Sequence, residues 1–270
     1  MKHQSLFLLI FQENYLKIVV KIVMEGVMEQ DISLFCGDCL DLMKILEDNS
    51  VDMILCDLPF GVTRAKWDVP IDFDKLWAEY RRVIKENGVI CLFAIEPFAS
   101  KLRLSNLKMY KYDWVWDKVK STGFLNAKKQ PLRCHEVICV FYNKQCTYNP
   151  QKTKGHAKKS AKRKQTGTDL YNPGDKEVVY ESTERYPRSI QVFSSDVQKS
   201  ALHPTQKPVA LLEYLIKTYT DEGELVLDNC MGSGSTGVAC IHTNRRFIGM
   251  EKDESYFEIA KNRIESILLK

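Results

Sequence analysis

Leu225-Val-Leu-Asp-Asn-Cys-Met-Gly-Ser-Gly-Ser-Thr-Gly237 passes from a short apolar run into a glycine turn and then into residues of helical character. Gly232 and Gly234 let the backbone turn tightly and approach a ligand with no Cβ in the way. A helix that follows such a turn presents unpaired amides, which favour an anionic or polar ligand. The stretch Asp228, Asn229, Cys230, Met231, Gly232, Ser233, Gly234, Ser235 and Thr236 therefore reads as a nucleotide-type cradle at the end of a strand. Glu251, nineteen residues beyond Gly232, closes the next apolar run, the place where a carboxylate accepts hydrogen bonds from ribose hydroxyls.

Outward from this turn, short apolar runs alternate with amphipathic stretches from Ser33 onward, the pattern of crossover units around a parallel sheet. Strands are predicted at 33–36, 53–56, 89–94, 114–116, 137–142, 225–227 and 247–250. Helices are predicted at 73–85, 98–107, 208–218, 236–242 and 254–268. In the first of these helices Leu76, Trp77, Tyr80, Val83 and Ile84 share a face. The fold class is α/β, a doubly wound, mostly parallel seven-stranded sheet. Read through Gly237, the turn also matches the G-x-G-x-x-G fingerprint of dinucleotide-dependent oxidoreductases. Only 33 residues follow Gly237, too few for the second half that a dinucleotide fold requires.

A chain of 270 residues suits one large domain with a smaller insertion. With 44% hydrophobic and 27% charged residues it falls outside the disordered and membrane classes. The net charge of +4 is small, but its distribution is uneven. No acid lies between Glu136 and Asp169, whereas Lys144, Lys152, Lys154, Lys158, Lys159, Lys162, Arg163 and Lys164 do. Such a block matches a polyanion or forms a solvated loop. Residues 145–202 show no clear period, are rich in Lys, Ser, Thr, Gly and Pro, and carry Tyr148, Tyr171, Tyr180, Tyr186 and Phe193 among the bases. A segment of that length is expected to be functional or disordered. Nine scattered cysteines point to reduced thiols and a cytoplasmic location. Cys36 and Cys39 have metal-ligand spacing, but one pair is half a tetrahedral site, so no metal is expected. The apolar run from Leu6 to Phe11 is short and ends at Glu13, and Lys17 and Lys21 interrupt the next one, so neither export nor a membrane span is expected. Residues 1–30 read as an extension, with Met24 and Met28 as alternative starts.

Val51-Asp-Met-Ile-Leu-Cys-Asp-Leu-Pro-Phe-Gly61 places an acid, a proline and an aromatic ring at the mouth of an apolar strand, where open α/β sheets put their chemistry. The arrangement suits an aromatic amine. Its lone pair is delocalised into the ring, so a catalyst must accept the two N–H bonds and hold the nitrogen in line with an electrophile. The Asp57 carboxylate and the Leu58 carbonyl fit that task, Pro59 stiffens the carbonyl's direction, and Phe60 offers a face for stacking on a base.

These residues resemble those of amino-methylating DNA methyltransferases of the permuted β class, whose catalytic tetrapeptide is [D/S]-P-P-[Y/F]. Leu58 departs from the first proline at a position where the family uses the main-chain oxygen. Asn229-Cys-Met231 stands where the family more often has Pro-Phe-Ala, so the glycines carry the likeness there. His203-Pro-Thr-Gln-Lys-Pro208 resembles the segment beside the methionine end of the cofactor, so that His203, Thr205, Gln206 and Lys207 would meet its carboxylate. Gly37-Asp38-Cys39 resembles the strand end whose acid takes the cofactor's adenine amino group. Lys66-Trp67-Asp68 and Arg133-Cys-His-Glu136 resemble segments near the flipped base and before the last strand, and are read as structural supports.

The resemblance implies a circularly permuted Rossmann-like fold, strand order 3-2-1-4-5-7-6, that sets 225–227 beside 53–56. It further implies S-adenosyl-L-methionine as cofactor, double-stranded DNA as partner and base flipping. The leading Asp57 is similar to adenine-N6-directed members; cytosine N4 and a non-catalytic cofactor- or DNA-binding module stay open. Residues 31–144 and 201–270 would form the methyltransferase domain around a target-recognition insert at 145–200, whose Lys152, Lys154, Lys158, Lys159, Lys162, Arg163 and Lys164 contact DNA. A homodimer and a restriction-endonuclease partner are compatible with the family.

Overall fold

Val51–Cys56 is buried at every position, as a strand covered by helices on both faces must be. It is the third strand, β3, of a computed structural model that describes residues 19–24, 30–63, 68–164, 177–195 and 206–269. In chain order the elements are β1 Val19–Met24, β2 Gln30–Cys36, α1 Cys39–Leu42, β3 Val51–Cys56, α2 Phe73–Val83, β4 Ile84–Ala94, α3 Phe98–Ser105, β5 Tyr110–Thr122 and β6 Arg133–Phe141. They continue with β7 Lys159–Lys164, β8 Glu177–Ser182, β9 Ile190–Val192, α4 Val209–Tyr219, β10 Leu225–Asp228, α5 Ser235–His242, β11 Arg246–Glu251 and α6 Glu254–Leu268.

Among the described residues one sheet has nine strands, in the order β1-β2-β11-β10-β3-β4-β6-β5-β9. Strands β2, β11, β10, β3 and β4 are mutually parallel, so their carboxyl ends share one edge. Val226 lies opposite Met53 and Leu227 opposite Ile54, so the two chemistry-bearing strands are neighbours. After β10 the chain crosses to β11 through α5; after β3 it crosses to β4 through α2, on the other side. The neighbouring connections therefore diverge and leave a crevice, the topological switch point of doubly wound sheets.

Each face of the sheet has its own core. Leu211 and Leu215 of α4, Val238 of α5 and Phe257 and Ile264 of α6 pack on one; Leu42 of α1, Leu76 and Trp77 of α2 and Phe98 of α3 pack on the other. Side chains also fix the helix starts. Asp72 accepts the amides of Asp74 and Lys75 at the head of α2, and Asp253 those of Ser255 and Tyr256 at the head of α6.

Four expectations need correction. The helix from 73 ends at Val83 instead of 85, because Ile84 turns extended and pairs with Val51. The seven expected strands are present, but β1 and β9 extend the sheet at its edges to nine among the described residues. Within the 1–30 extension, Val19–Met24 pairs antiparallel with β2 and so belongs to the sheet edge. The aperiodic stretch from 145 contains an antiparallel hairpin, with Lys159 opposite Ser182 and Lys164 opposite Glu177, and then β9, which pairs parallel with β5. The chain divides into two compact units, 1–149 with 189–270 and, separately, 150–188. All nine cysteines are free. Among the described residues no helix is long and apolar enough to cross a membrane.

Candidate active site

The carboxyl ends of the parallel strands open into one cleft of about 1330 Å³, larger than most small-molecule pockets. The β3 end contributes Asp57, Leu58, Pro59 and Phe60; the β10 end contributes Asp228 to Ser233, except that no glycine after Gly232 reaches the wall; the ends of β2 and β11 contribute Asp38 and Glu251.

The turn after β10 is held by its own hydrogen bonds. Asp228 accepts from the Thr236 hydroxyl at 2.6 Å and from the Cys230 amide at 3.2 Å. Asn229 Oδ1 accepts from the Tyr80 hydroxyl of α2 at 2.6 Å, a contact between buried groups. Gly232, with φ 50°, donates its amide to Glu251 Oε2 at 2.9 Å, while Glu251 Oε1 accepts the Asp253 amide at 2.9 Å. Met231 is buried, its sulfur lying where a Cβ on Gly249 would stand. Arg263 of α6 donates to the Ser233 carbonyl and the Ser235 hydroxyl, both at 3.0 Å. Gly234 has φ 76°, and a Cβ there would sit 3.0 Å from Ala260 Cβ, so this glycine serves the turn and the α6 contact instead of the cleft wall.

The corner after β3 is arranged differently. Leu58 points its side chain into the core, leaving its main chain to the cleft. The Phe60 ring lies 5.0 Å from that of Phe98. The loop that follows is pinned by Asp68, which accepts the amides of Gly61, Val62 and Thr63 at 2.7, 2.9 and 2.6 Å. Lys207 Nζ donates to Asp57 Oδ2 at 2.5 Å, lies 3.4 Å from Glu136 Oε2 and sits over the Phe93 ring. Lys118 donates to Glu136 Oε1 at 3.2 Å. Asp57 Oδ1 and Glu136 Oε2 are buried and have no hydrogen-bond partner among the described residues. Burial pushes the Asp57 carboxyl up to about 6, with Lys207 opposing the rise and Glu136 and Asp68 adding to it. Burial also acts to raise Glu136, but Lys207 and Lys118 outweigh it and hold that carboxyl below its ordinary value.

A buried, unsatisfied carboxylate oxygen and a glycine cradle in one cleft are the parts needed to hold an amine against a nucleoside-bearing donor. Comparison with known proteins bears on this directly. The N6/N4 methyltransferase family model, described as DNA methylase, matches residues 51–262. The chain belongs to this DNA methylase family. It is 28% identical to the Type II methyltransferase M.HpaI of Haemophilus parainfluenzae, over 87% of this chain and 75% of that protein. It is 26% identical to the Type II methyltransferase M2.MboI of Moraxella bovis, over 88% and 89%. Among solved structures, the M1.HpyAVI–SAM complex superposes with a TM-score of 0.60 at 24% identity, covering 86% of this chain and 98% of that one. The cytosine-N4-specific PvuII DNA methyltransferase gives 0.59 at 14% identity, covering 86% of each. The mixed α/β fold is thus that of the amino-methyltransferases.

In this DNA methylase the structure gathers Asp38, Cys39, Asp57, Leu58, Pro59, Phe60, Gln206, Lys207, Asp228, Asn229, Cys230, Met231, Gly232, Ser233, Ser235, Thr236 and Glu251 around one cleft. His203 and Thr205 lie outside the described residues. Lys207 meets Asp57 in this structure, where the sequence reading pointed it at the cofactor. Asp38 caps α1 through the Leu40 amide and pairs with Lys252 at 3.0 Å. The charged partners Glu136 and Lys118 were not singled out for this role by sequence; for Lys118 the available signal was the two-residue period that puts it on the buried face of β5 with Trp114 and Trp116. In the 150–188 unit, Lys152, Lys154, Lys158, Lys159 and Lys162 are exposed, as the reading of a basic block requires. Acids across the hairpin partly answer them: Lys158 pairs with Glu181 at 2.6 Å and Lys152 with Glu184 at 3.4 Å. Arg163 and Lys164 lie on β7.

Proposed function

We propose that the protein transfers a methyl group from S-adenosyl-L-methionine to the exocyclic N6 amino group of adenine in duplex DNA, with the target base turned out of the stack. The observation that carries this reading is that Asp57, whose buried Oδ1 has no hydrogen-bond partner among the described residues, lines the same cleft as the glycine turn. The donor set suits the cofactor: the carboxylates of Asp38 and Glu251 close β2 and β11, where an adenine amino group and ribose hydroxyls would be received, and Gly232 brings bare main chain to the wall. When bound, S-adenosyl-L-methionine supplies an electrophilic methyl group.

The chain's own residues do the rest. Asp57 Oδ1 and the Leu58 carbonyl accept the two amine N–H bonds and so direct the nitrogen lone pair, and positioning of this kind supplies much of the acceleration. Phe60 stacks on the base. As the nitrogen is alkylated it loses a proton, and Asp57, with its carboxyl pushed up to about 6, is matched to receive it near neutral pH. Lys207 keeps that carboxylate ionised until then. Adenine is favoured over cytosine by the leading Asp57 of the tetrapeptide. Lys152, Lys154, Lys158, Lys159, Lys162, Arg163 and Lys164 are assigned to the DNA backbone.

Incubation with duplex DNA and methyl-labelled cofactor, followed by mass spectrometry of the nucleosides, tests the reading. N6-methyl-2′-deoxyadenosine is expected. N4-methyl-2′-deoxycytidine would transfer the reading to the other base, and binding of both ligands without label transfer would remove the enzymatic claim.

A further inference from the structure

The β5–β6 hairpin ends in residues 123–132, a loop built unlike the surface around it. Phe124 is 82% exposed and its neighbour Leu125 is 99% exposed. Both lie in a 3-10 turn, Phe124–Asn126, entered through Gly123 in the left-handed conformation at φ 90°. From Lys118 to His135 the sequence has no acid, and it carries Lys118, Lys120, Lys128, Lys129 and Arg133. Among the described residues, Lys128, Lys129 and Arg133 have no carboxylate in salt-bridge range, in contrast to Lys118, which is held by Glu136.

The stem of this hairpin is a wall of the cleft. Lys118, Lys120, Thr122, Arg133 and Glu136 all line it, and Thr122 pairs with Arg133 where the loop begins. The ladder is irregular between Asp117 and Thr122, and there Val119 holds φ 65° and gives its amide to Asp117 Oδ1 at 2.9 Å. A β-branched residue rarely adopts that conformation, and an irregularity of this kind bends a strand and re-aims what lies beyond it. An exposed aromatic–aliphatic pair at the tip of a cationic loop, beside a cleft that must receive a base, matches a stacked polyanion in both charge and shape.

We propose that residues 123–133 are a wedge for duplex DNA: Lys128, Lys129 and Arg133 take phosphates, and Phe124 and Leu125 enter the base stack beside the target and hold it open while the base occupies the cleft. Apolar side chains inserted between base steps unstack and kink DNA in this manner. The inference rests on the DNA methyltransferase reading above and adds to it the element that separates the base pairs.

The test uses the full chain and a duplex carrying the site mapped by sequencing modified bases in DNA from an expressing host. The Phe124→Ser/Leu125→Ser protein is expected to methylate the paired duplex about tenfold more slowly or worse, and to recover to within about twofold of wild type when the target is mispaired, since a base already unpaired costs less to extrude. Cofactor affinity is expected to stay unchanged. Phe124→Trp should keep activity, with indole emission quenched by the duplex. Lys128→Ala/Lys129→Ala should weaken DNA binding and lower its salt slope by about two. The proposal is overturned if the serine variant methylates paired duplex at the wild-type rate, if its defect persists undiminished on mispaired duplex, or if the substitution changes only the oligomeric state of the DNA-free protein. Wild-type protein that methylates no DNA at all would overturn the underlying reading together with the wedge.

Discussion

The turn after β10 and the corner after β3 sit on neighbouring strands and line one cleft, yet their polar groups are treated in opposite ways. After β10, Asp228 is answered by Thr236 and Cys230, Asn229 by Tyr80, and the Gly232 amide by Glu251. After β3, one oxygen of Asp57 is tied to Lys207 and the other is buried with no donor among the described residues. A fully satisfied network rigidifies, whereas an unsatisfied buried acceptor costs roughly 1–3 kcal/mol until a donor arrives. The first region is therefore internally satisfied among the described residues, and the second leaves a carboxylate oxygen that an incoming hydrogen-bond donor, such as the amine of the proposed reaction, would complete.

The sharpest way to break this contrast is Asp57→Ala. Methyl transfer should fall by on the order of a thousandfold, the upper range for removing one aligned group, while calorimetry gives a cofactor affinity near that of wild type. A matching loss of cofactor binding would show that the two regions are one network. Gly234→Ala probes the other side. Its φ of 76° and the 3.0 Å approach to Ala260 make a side chain costly there, by about 1–2 kcal/mol for the backbone alone. The melting temperature should drop by several degrees and cofactor affinity should weaken, with the rate at saturation little changed.

Proton linkage sharpens the comparison further. Asp57 must be ionised to accept the amine, and burial pushes its carboxyl up to about 6, so the single-turnover rate should fall as pH drops through about 6. Lys207→Met removes the cation that opposes the rise and should move this acid limb to higher pH. Glu136→Gln removes a like charge and should move it to lower pH; equal profiles for the two variants would deny the charge cluster its role. The smallest effect is expected from Thr236→Val, which removes one bond to Asp228 from an otherwise satisfied turn. It should cost about 1 kcal/mol in urea unfolding and leave the acid limb where it was.

Much of this architecture was legible because the physics is local. The apolar runs at 53–56, 89–94 and 225–227 lie in strands, and the Leu76, Trp77, Tyr80 and Val83 face lies in α2, since burial on one or both sides imposes those periods. Asp57 to Phe60 and the glycine turn stand out in the sequence for the same reason, each being a short motif at a strand end, and the structure brings them to one cleft. What escaped was set by contacts far apart in sequence. Lys207 and Asp57 are 150 positions apart, and nothing near either names the other. In β7 the sequence Lys-Ser-Ala-Lys-Arg-Lys is polar apart from its alanine, so no alternation betrays the strand, and the glutamates that temper its neighbouring lysines, Glu181 and Glu184, lie more than twenty positions further along the chain. The exposure of Phe124 and Leu125 is set by the β5–β6 pairing around them and carries no mark in the sequence.

The most direct test of the central claim is a crystal structure of the protein with its duplex site and a non-transferable analogue of the methyl donor. The account predicts the target amino nitrogen within hydrogen-bond distance of Asp57 Oδ1, and the donor's nucleoside against Gly232 and Glu251 in the same cleft. A target base seated away from Asp57, or a donor bound elsewhere than the β10 turn, would contradict it.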